Sequence, residues 1–318
     1  MKLLRIIKYY IRQIILQLLY IFTNKKMPRE KNIYKINYNS PYRLKIPTYD
    51  GSGQAVHPSV LIDSCTNEFY LAYTPYTNTN DKVENPSIVC SKDGFIFNEE
   101  YAGINPLVNT PEIDHNDDPD LFIHNDEYCI LYLETLRPEK QNLILLSSYD
   151  RQHWDKRVLF SEKCGGNRFI LSPSYIETNN KNFIFYVNKD SRNGHSIEYV
   201  SGNSINEIDY GNVYLPTMRN FNDTPWHLDI VNGEDGYMYM LVSCVEVINA
   251  KKRYYLKIAR SKNINDWDFS NEILFYDCYR SSLLIHENDI YVYLSRIYFG
   301  VQWKISLIRY SISELFVE

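Results

Sequence analysis

The chain has 318 residues, of which 44% are hydrophobic and 29 are tyrosine, so it can bury a sizeable core and is not disordered. Its net charge of −5 is unevenly distributed, because residues 1–31 carry +7 and the remainder carries −12. An acidic body excludes nucleic acid as a partner, since nucleic-acid binding depends on neutralising phosphates.

The N-terminal segment predicts a basic amphipathic helix. At about 100° per residue, one half of the helix is basic and the other half is mostly apolar. The basic half holds Lys2, Arg5, Lys8 and Arg12. These charges interrupt the apolar run, and no small-residue cleavage site follows it. The pattern therefore favours a helix lying in the membrane interface over a packed helix, and both over a signal-anchor.

We assign residues 1–31 to this helix and a polar linker, and we expect any contact with a membrane surface to use residues 1–22. The six cysteines occur singly, without a CxxC pair, which favours free thiols in a reducing compartment. We therefore expect a cytoplasmic protein that is peripheral at the membrane. A membrane-anchored, exported protein is the alternative.

Residues 50–318 contain five repeats of short apolar and aromatic strands separated by Asn, Asp and Gly turns. The repeats open at intervals of 61, 54, 55 and 53 residues. The five opening residues are His57, Asp118, Ser172, His227 and Arg280. Repeats of this length predict an all-β fold, a five-bladed β-propeller preceded by the N-terminal amphipathic helix. A β-sandwich with accidental periodicity is the alternative.

In a propeller, the innermost strand of each blade begins at the top of the central channel. The five opening residues should therefore face one another, with the carboxylates of "DHNDDPDLF" at the axis. Carboxylates held close in a funnel have pKa values that are pushed apart, as acid–base catalysis at glycosidic bonds requires. The cluster predicts the functional face, although propeller channels are also commonly polar and water-filled.

The five-repeat layout, the strand openings "HPSV", "DPDLF" and "SPSY", and turns such as "CSKDGFIF" resemble the five-bladed propeller glycosidases, with glycoside hydrolase family 43 as the nearest group. The resemblance covers about residues 50–312. It implies an aspartate base, a pKa-tuning aspartate and a glutamate acid at the inner-strand openings of the first, third and fourth units. Those positions are His57, Ser172 and His227 here, and none is a carboxylate. The resemblance therefore implies a non-standard catalytic triad.

Our leading hypothesis is a glycosidase-like hydrolase, with glycoside hydrolase activity favoured, that acts on a polysaccharide or oligosaccharide in the funnel. Asp118 is the candidate base and Asp229 or Glu84 the candidate acid. His57 and His227 position sugar hydroxyls, or act as acid and base themselves because imidazole titrates near neutrality. A non-catalytic carbohydrate-binding or scaffold propeller beside membrane-side polysaccharide assembly is the alternative.

Further residues at the predicted mouth are candidates for substrate binding. They are Asp117, Asp120, Glu134, Arg137, Ser172, Trp226, Arg280 and Arg296. The three arginines would favour a glycan with an anionic substituent if they face the funnel. His57, Asp118 and His227 would also suit a two-histidine, one-carboxylate metal set. Local spacing does not support that set, so we predict no metal and no cofactor.

Overall fold

The computed structural model describes residues 33–98, 104–165, 168–190, 194–248, 251–298 and 302–316. Five sheets surround a central axis, all antiparallel except for one parallel pair of outer strands in the fourth, and the innermost strand of each sheet contacts the innermost strand of the next until the ring closes. The predicted all-β, five-bladed propeller is thus confirmed. The predicted N-terminal helix lies outside the described residues. Among the described residues no helix is long and apolar enough to cross a membrane.

The strands follow the blades in chain order, after a short first strand, β1 (Tyr42–Arg43). Blade 1 contains β2 (Ala55–Asp63), β3 (Glu68–Pro75) and β4 (Ser87–Ser91). Blade 2 contains β5 (His115–His124), β6 (Glu127–Leu136), β7 (Lys140–Ser148) and β8 (Asp155–Lys163). Blade 3 contains β9 (Ile170–Thr178), β10 (Lys181–Asp190), β11 (Gly194–Gly202) and β12 (Ile208–Tyr214).

Blade 4 has the most strands. It contains β13 (Thr217–Arg219), β14 (Pro225–Asn232), β15 (Met238–Ile248), β16 (Lys251–Ser261), β17 (Asp266–Phe269) and β18 (Phe275–Tyr276). Blade 5 contains β19 (Ser281–His286), β20 (Asp289–Tyr298) and β21 (Gln302–Ser311). The described helices are one-turn segments: 3-10 helices at Ile33–Lys35, Thr77–Thr79, Asp81–Val83 and Ile205–Glu207, and α1 (Ile312–Leu315).

The two ends of the described chain meet in blade 5. Strand β1 pairs antiparallel with β21, so that Tyr42 lies opposite Leu307. The outermost strand of the last blade is therefore supplied from the start of the described chain. The propeller accordingly includes residues that precede the predicted boundary at residue 50.

Middle strands are buried on both faces because each blade packs between two others. Along β6, Ile130 and Tyr132 pack towards blade 1, whereas Leu131 and Leu133 pack towards blade 3. All four side chains are completely buried. This explains why the sequence reads as a continuous apolar run instead of the apolar–polar alternation of a half-exposed strand.

A closed set of hydrogen bonds, the axial ring, joins the five inner strands. Each ring residue accepts the backbone N–H of the residue that follows the ring position in the neighbouring blade, over 2.6 to 3.1 Å. The ring residues are Ser59, Asp120, Ser174, Asp229 and Ser282. Because all five are buried, the bonds form away from water and fix the relative position of the blades.

The inner strands of blades 1 to 3 bulge two residues before the ring. His57, Asp118 and Ser172 have φ values of 53°, 53° and 48°, in the left-handed region, and each precedes a proline. Proline suits a bulge because it has no N–H to contribute to the strand pairing. The repeated X-Pro pair thus produces a bulge in each of these inner strands at its upper end.

Candidate functional site

Three side chains from three blades converge at the top of the axis and form what we term the floor cluster: His57, Asp118 and His227. Nδ1 of His57 lies 3.6 Å from Oδ1 of Asp118, and Nδ1 of His227 lies 3.5 Å from Oδ2. One possible ligand atom from each residue lies within 4.8 Å of the others. All three residues are buried. The fold therefore brings together a set that is scattered over 171 positions of sequence.

The floor cluster is held from below and from the side. The backbone N–H of Ser172 donates to Asp118 over 2.8 Å, and the Ser172 hydroxyl lies 2.6 Å from Nδ1 of His227. The fully buried Arg280 donates to the carbonyls of Pro119 and His57, at 2.5 and 3.4 Å, and its Nε lies 3.9 Å from Asp118. Ser172 and Arg280 thus position the cluster.

Burial governs the electrostatics of the floor cluster. Burial lowers the pKa of His57 to about 3, against the attraction of Asp118, so this imidazole is neutral at pH 7. Burial alone would raise the pKa of Asp118, but the neighbouring imidazoles and Arg280 hold it well below its usual range. A neutral imidazole and an ionised carboxylate are the forms in which these side chains bind metal ions.

The floor cluster also has unused hydrogen-bonding capacity. Nε2 of His57, Nε2 of His227 and Oδ1 of Asp118 are buried and have no hydrogen-bond partner among the described residues. Buried polar atoms are normally paired, so these three atoms are free to bind a ligand, an ion or water. The donor set, two imidazoles and one carboxylate, fits a transition-metal ion.

Above the floor cluster lies a cavity of about 570 Å³, the upper cavity. His57 and His227 contribute to its base, and loops between the second and third strands of the blades form much of its wall. The wall residues include Tyr76, Asp81, Glu84, His115, Asp117, Arg137, Lys252, Arg253, Tyr254, Tyr279 and Trp303. A cavity of this size falls within the range of small-molecule binding sites, about 300–1,000 Å³.

One side of the wall carries a titratable group of three residues, the wall cluster: Glu84, His115 and Asp117. Their nearest ligand atoms lie within 4.8 Å of one another, and Nε2 of His115 is 3.1 Å from Asp117. On its other side His115 pairs with Asp114 at 2.6 Å, and Asp114 in turn binds Arg137 through both carboxylate oxygens. Arg137 is therefore already occupied by a carboxylate.

The electrostatics of the wall cluster favour one proton donor and one proton acceptor. Burial, followed by the nearby charge of Asp117, raises the pKa of Glu84 well above its usual range. Burial would lower the pKa of His115, but the hydrogen bond to Asp117 and the surrounding carboxylates raise it to about 10. Glu84 is thus favoured as a protonated carboxyl group beside an imidazolium–carboxylate pair, an arrangement suited to proton transfer.

Asp120 and Asp229 belong to the axial ring and line a different cavity of about 480 Å³ at the lower end of the inner strands. Their carboxylates accept the N–H groups of Tyr175 and Leu283. Burial, and then the charge of Asp229, raises the pKa of Asp120 to about 7, and burial raises that of Asp229 to about 6. The structure does not bring these two carboxylates to the upper cavity.

Three other predicted binding residues have structural partners. Glu134 accepts from Lys156 and Asn142 at 2.8 and 2.7 Å, on the outer strands of blade 2. Trp226 is 9% exposed, and its indole N–H donates to the Tyr279 hydroxyl over 3.1 Å. Arg296 lies on β20 with its guanidinium 4.9 Å from the Phe275 ring. None of the three is among the residues that line the upper cavity.

Two residues at the site escaped sequence reasoning. Tyr279 stacks 5.5 Å from the His57 ring and meets the His227 ring edge-on at 4.5 Å. It immediately precedes Arg280, so the blade register could have identified it. His115 is the first residue of β5 and lies within the acidic stretch "DHNDDPDLF". Its place in the wall cluster could not be recognised there, because it depends on Glu84, which a loop of blade 1 brings to it.

Comparisons with known proteins define the fold. No family model matches the chain, and no curated protein does. Among solved structures, an N-acetylgalactosamine deacetylase from F. plautii in complex with blood group B trisaccharide has a TM-score of 0.75 and 17% identity over 88% of this chain and 97% of that one. An endo-arabinase from Bacteroides thetaiotaomicron has a TM-score of 0.59 and 15% identity over 86% and 98%.

A thermostable family-43 glycoside hydrolase is also similar, with a TM-score of 0.54 and 16% identity over 80% of this chain and 88% of that one. The predicted resemblance to five-bladed propeller glycosidases is therefore confirmed for the fold.

Proposed function

We propose that this protein is a glycan-acting hydrolase whose reaction takes place in the upper cavity. The observation that carries the proposal is the floor cluster, a buried set of two imidazoles and one carboxylate at the base of the cavity, with atoms that have no hydrogen-bond partner in the described part of the chain. The similarity in fold to the deacetylase supports the choice of substrate, since that protein was solved in complex with a trisaccharide.

The reaction class that the floor cluster favours is metal-assisted hydrolysis of an acyl substituent on a sugar. Instead of the expected absence of metal, His57, Asp118 and His227 would hold a divalent cation. When bound, such a cation supplies Lewis acidity, which polarises a carbonyl group and makes water a stronger nucleophile. The similarity in fold to a deacetylase agrees with this class.

The wall cluster would manage the protons of the reaction. His115 stays protonated and holds the Asp117 carboxylate ready to accept a proton from an attacking water. Glu84, whose pKa is raised, carries the proton that the leaving nitrogen or oxygen requires. Arg137 and Asp114 keep His115 in place, so they act as positioning residues.

Cleavage of a glycosidic bond is the second candidate, and the Glu84–Asp117 pair favours it. Their oxygens lie within 4.8 Å, close to the separation of about 5–5.5 Å between the carboxyl groups of retaining glycosidases. In that reaction Glu84 would be the acid and Asp117 the nucleophile.

The deciding experiment uses the full chain with a panel of acetylated oligosaccharides and polysaccharides and records released acetate and new reducing ends separately. We expect acetate release that a chelator abolishes and an added divalent cation restores. Reducing ends that resist chelation and disappear in Glu84→Gln would instead select the glycosidase. Binding with neither product would leave a non-catalytic carbohydrate-binding module and overturn the hydrolase proposal.

A further inference from the structure

Two lysines from neighbouring blades meet on one aromatic ring, and one of them, Lys252, lines the upper cavity. Lys189 lies at the end of β10 and Lys252 at the start of β16, and their ammonium groups are 4.8 and 4.2 Å from the centroid of the Trp226 ring. Tryptophan is the best aromatic partner of a cation. Because the indole is fixed by its bond to Tyr279, it holds both ammonium groups in place.

The charge of this lysine pair is not balanced by described carboxylates. Lys156 and Lys257 pair with carboxylates at 2.8 and 2.9 Å, whereas neither Lys189 nor Lys252 has one within 4 Å in the described part of the chain. Burial, and then the positive charges of Lys252 and Arg137, lower the pKa of Lys189, so other positive charges lie close by. The Trp226 ring is therefore flanked by two positive charges that no described carboxylate pairs with, in a protein that is acidic as a whole.

The arginines that were expected to bind an anion are engaged elsewhere. Arg137 binds Asp114, and Arg280 is fully buried against backbone carbonyls beneath the floor cluster. Lys252, in contrast, is exposed and lines the same cavity as His57 and His227. An anion bound beside Lys252 can thus belong to a ligand that also occupies the upper cavity.

We propose that Lys189 and Lys252 form a subsite for an anionic substituent of the glycan, a carboxylate, sulfate ester or phosphate ester carried by a sugar next to the reacting one. This inference rests on the proposed function, which it deepens by defining the substrate class. Ammonium groups bind such anions as point charges with rotatable donors, so the subsite selects for charge more than for the geometry of the anion.

The test compares anionic oligosaccharides with their neutral counterparts: oligogalacturonate with oligogalactose, and sulfated or phosphorylated sugars with the unmodified ones. Three full chains are used: the parent, Lys189→Gln/Lys252→Gln, and the control Lys181→Gln/Lys262→Gln. The control removes the same charge from exposed lysines at the lower end, one of which also lies on an aromatic ring, Tyr237.

We expect the parent to bind at least one anionic glycan more tightly than its neutral counterpart. The Lys189→Gln/Lys252→Gln variant should bind that glycan about tenfold more weakly or worse, the loss typical of removing a charged hydrogen bond. It should bind the neutral counterpart as before, and the control should match the parent. Equal affinity of the parent for both members of every pair, or no change in the double variant, would overturn the subsite.

A second arm separates failure of the subsite from failure of the proposed function. If the parent binds and cleaves no glycan, the proposed function fails, and the melting temperature in sodium sulfate is then compared with that in sodium chloride of equal ionic strength. Sulfate also stabilises proteins by exclusion, an effect common to all three chains. A larger shift in the parent and control than in Lys189→Gln/Lys252→Gln supports the subsite, and equal shifts overturn it.

Discussion

The axial ring and the floor cluster are built on the same inner strands, two residues apart, yet they follow opposite rules. In the ring, each of the five residues accepts one backbone N–H from the next blade. The residues are all serine or aspartate, so the fivefold repeat is preserved in chemistry as well as in geometry. Every ring residue has a structural partner.

At the floor, the repeat is preserved only in geometry. The five equivalent positions hold His57, Asp118, Ser172, His227 and Arg280, and each has a different set of partners. His57, His227 and Asp118 keep buried atoms to which none of the residues that the structure describes forms a hydrogen bond. Because functional sites are the places where a sequence is expected to depart from its local rules, the floor layer, where the repeat is lost, is the stronger candidate for a functional site than the ring layer.

The largest expected effect comes from breaking the floor. His57→Gln replaces one neutral polar side chain by another, and we expect activity to fall by about 10²–10³-fold, the loss typical of removing a group that stabilises charge in the transition state. The free energy of unfolding should change by only about 1 kcal/mol, since no charge is buried or removed. Product release and urea denaturation measure the two effects.

The matched control for that variant is His286→Gln at the lower cavity. It makes the same chemical change at the lower end of blade 5, whereas His57 lies at the upper end of blade 1, and it should leave product release unchanged. A similar loss of activity in both variants would mean that the floor cluster has no special part in the reaction.

A smaller effect is expected when the ring is broken. Ser282→Ala removes the acceptor of the Val60 N–H, a bond of 3.1 Å between two buried residues. An unsatisfied buried donor costs about 1–3 kcal/mol, so the midpoint of urea unfolding should fall while the activity per folded molecule is retained. Ser243→Ala is the control, because the Ser243 hydroxyl is buried without a hydrogen-bond partner among the described residues. If the two variants unfold alike, the ring does not stabilise the propeller.

Sequence reasoning predicted the parts of the molecule that repeat. Five strand openings at similar intervals sufficed for the blade count, and they correctly brought His57, Asp118 and His227 to one end of the axis. The exact depth along the axis could not be predicted in the same way. Asp118 and Asp120 differ by two positions, which keeps both on the axial face but places one at the floor and the other in the ring.

Contacts made by loops could not be predicted from the sequence either. Glu84 reaches Asp117 and His115 because the segment after β3 folds over the channel through two 3-10 turns, and no periodic pattern encodes that path. The engagement of Arg137 by Asp114 likewise depends on a turn of blade 2. Side-chain partners across loops depend on tertiary structure, whereas strand repeats are local and can be recognised in the sequence.

The last expected effect is the dependence of stability on pH, and it sharpens the same contrast, because the wall cluster holds an imidazolium among carboxylates whereas the ring residues accept backbone N–H groups. The folded pKa of His115, about 10, lies above the usual value of 6.5, because Asp117, Glu84 and Asp114 surround the imidazolium. Its contribution to stability is therefore complete below about pH 6.5 and is lost as the pH rises towards 10.

In His115→Gln that contribution is missing at every pH. We expect the difference in unfolding free energy between parent and variant to be largest near pH 6 and to shrink steadily up to pH 9, as measured by urea denaturation at each pH. Subtracting the variant removes the tyrosine, lysine and cysteine titrations that both proteins share. A difference that stays constant over this range would mean that His115 is not held as an imidazolium, and Asp117 would then lack the partner that keeps it ionised beside Glu84.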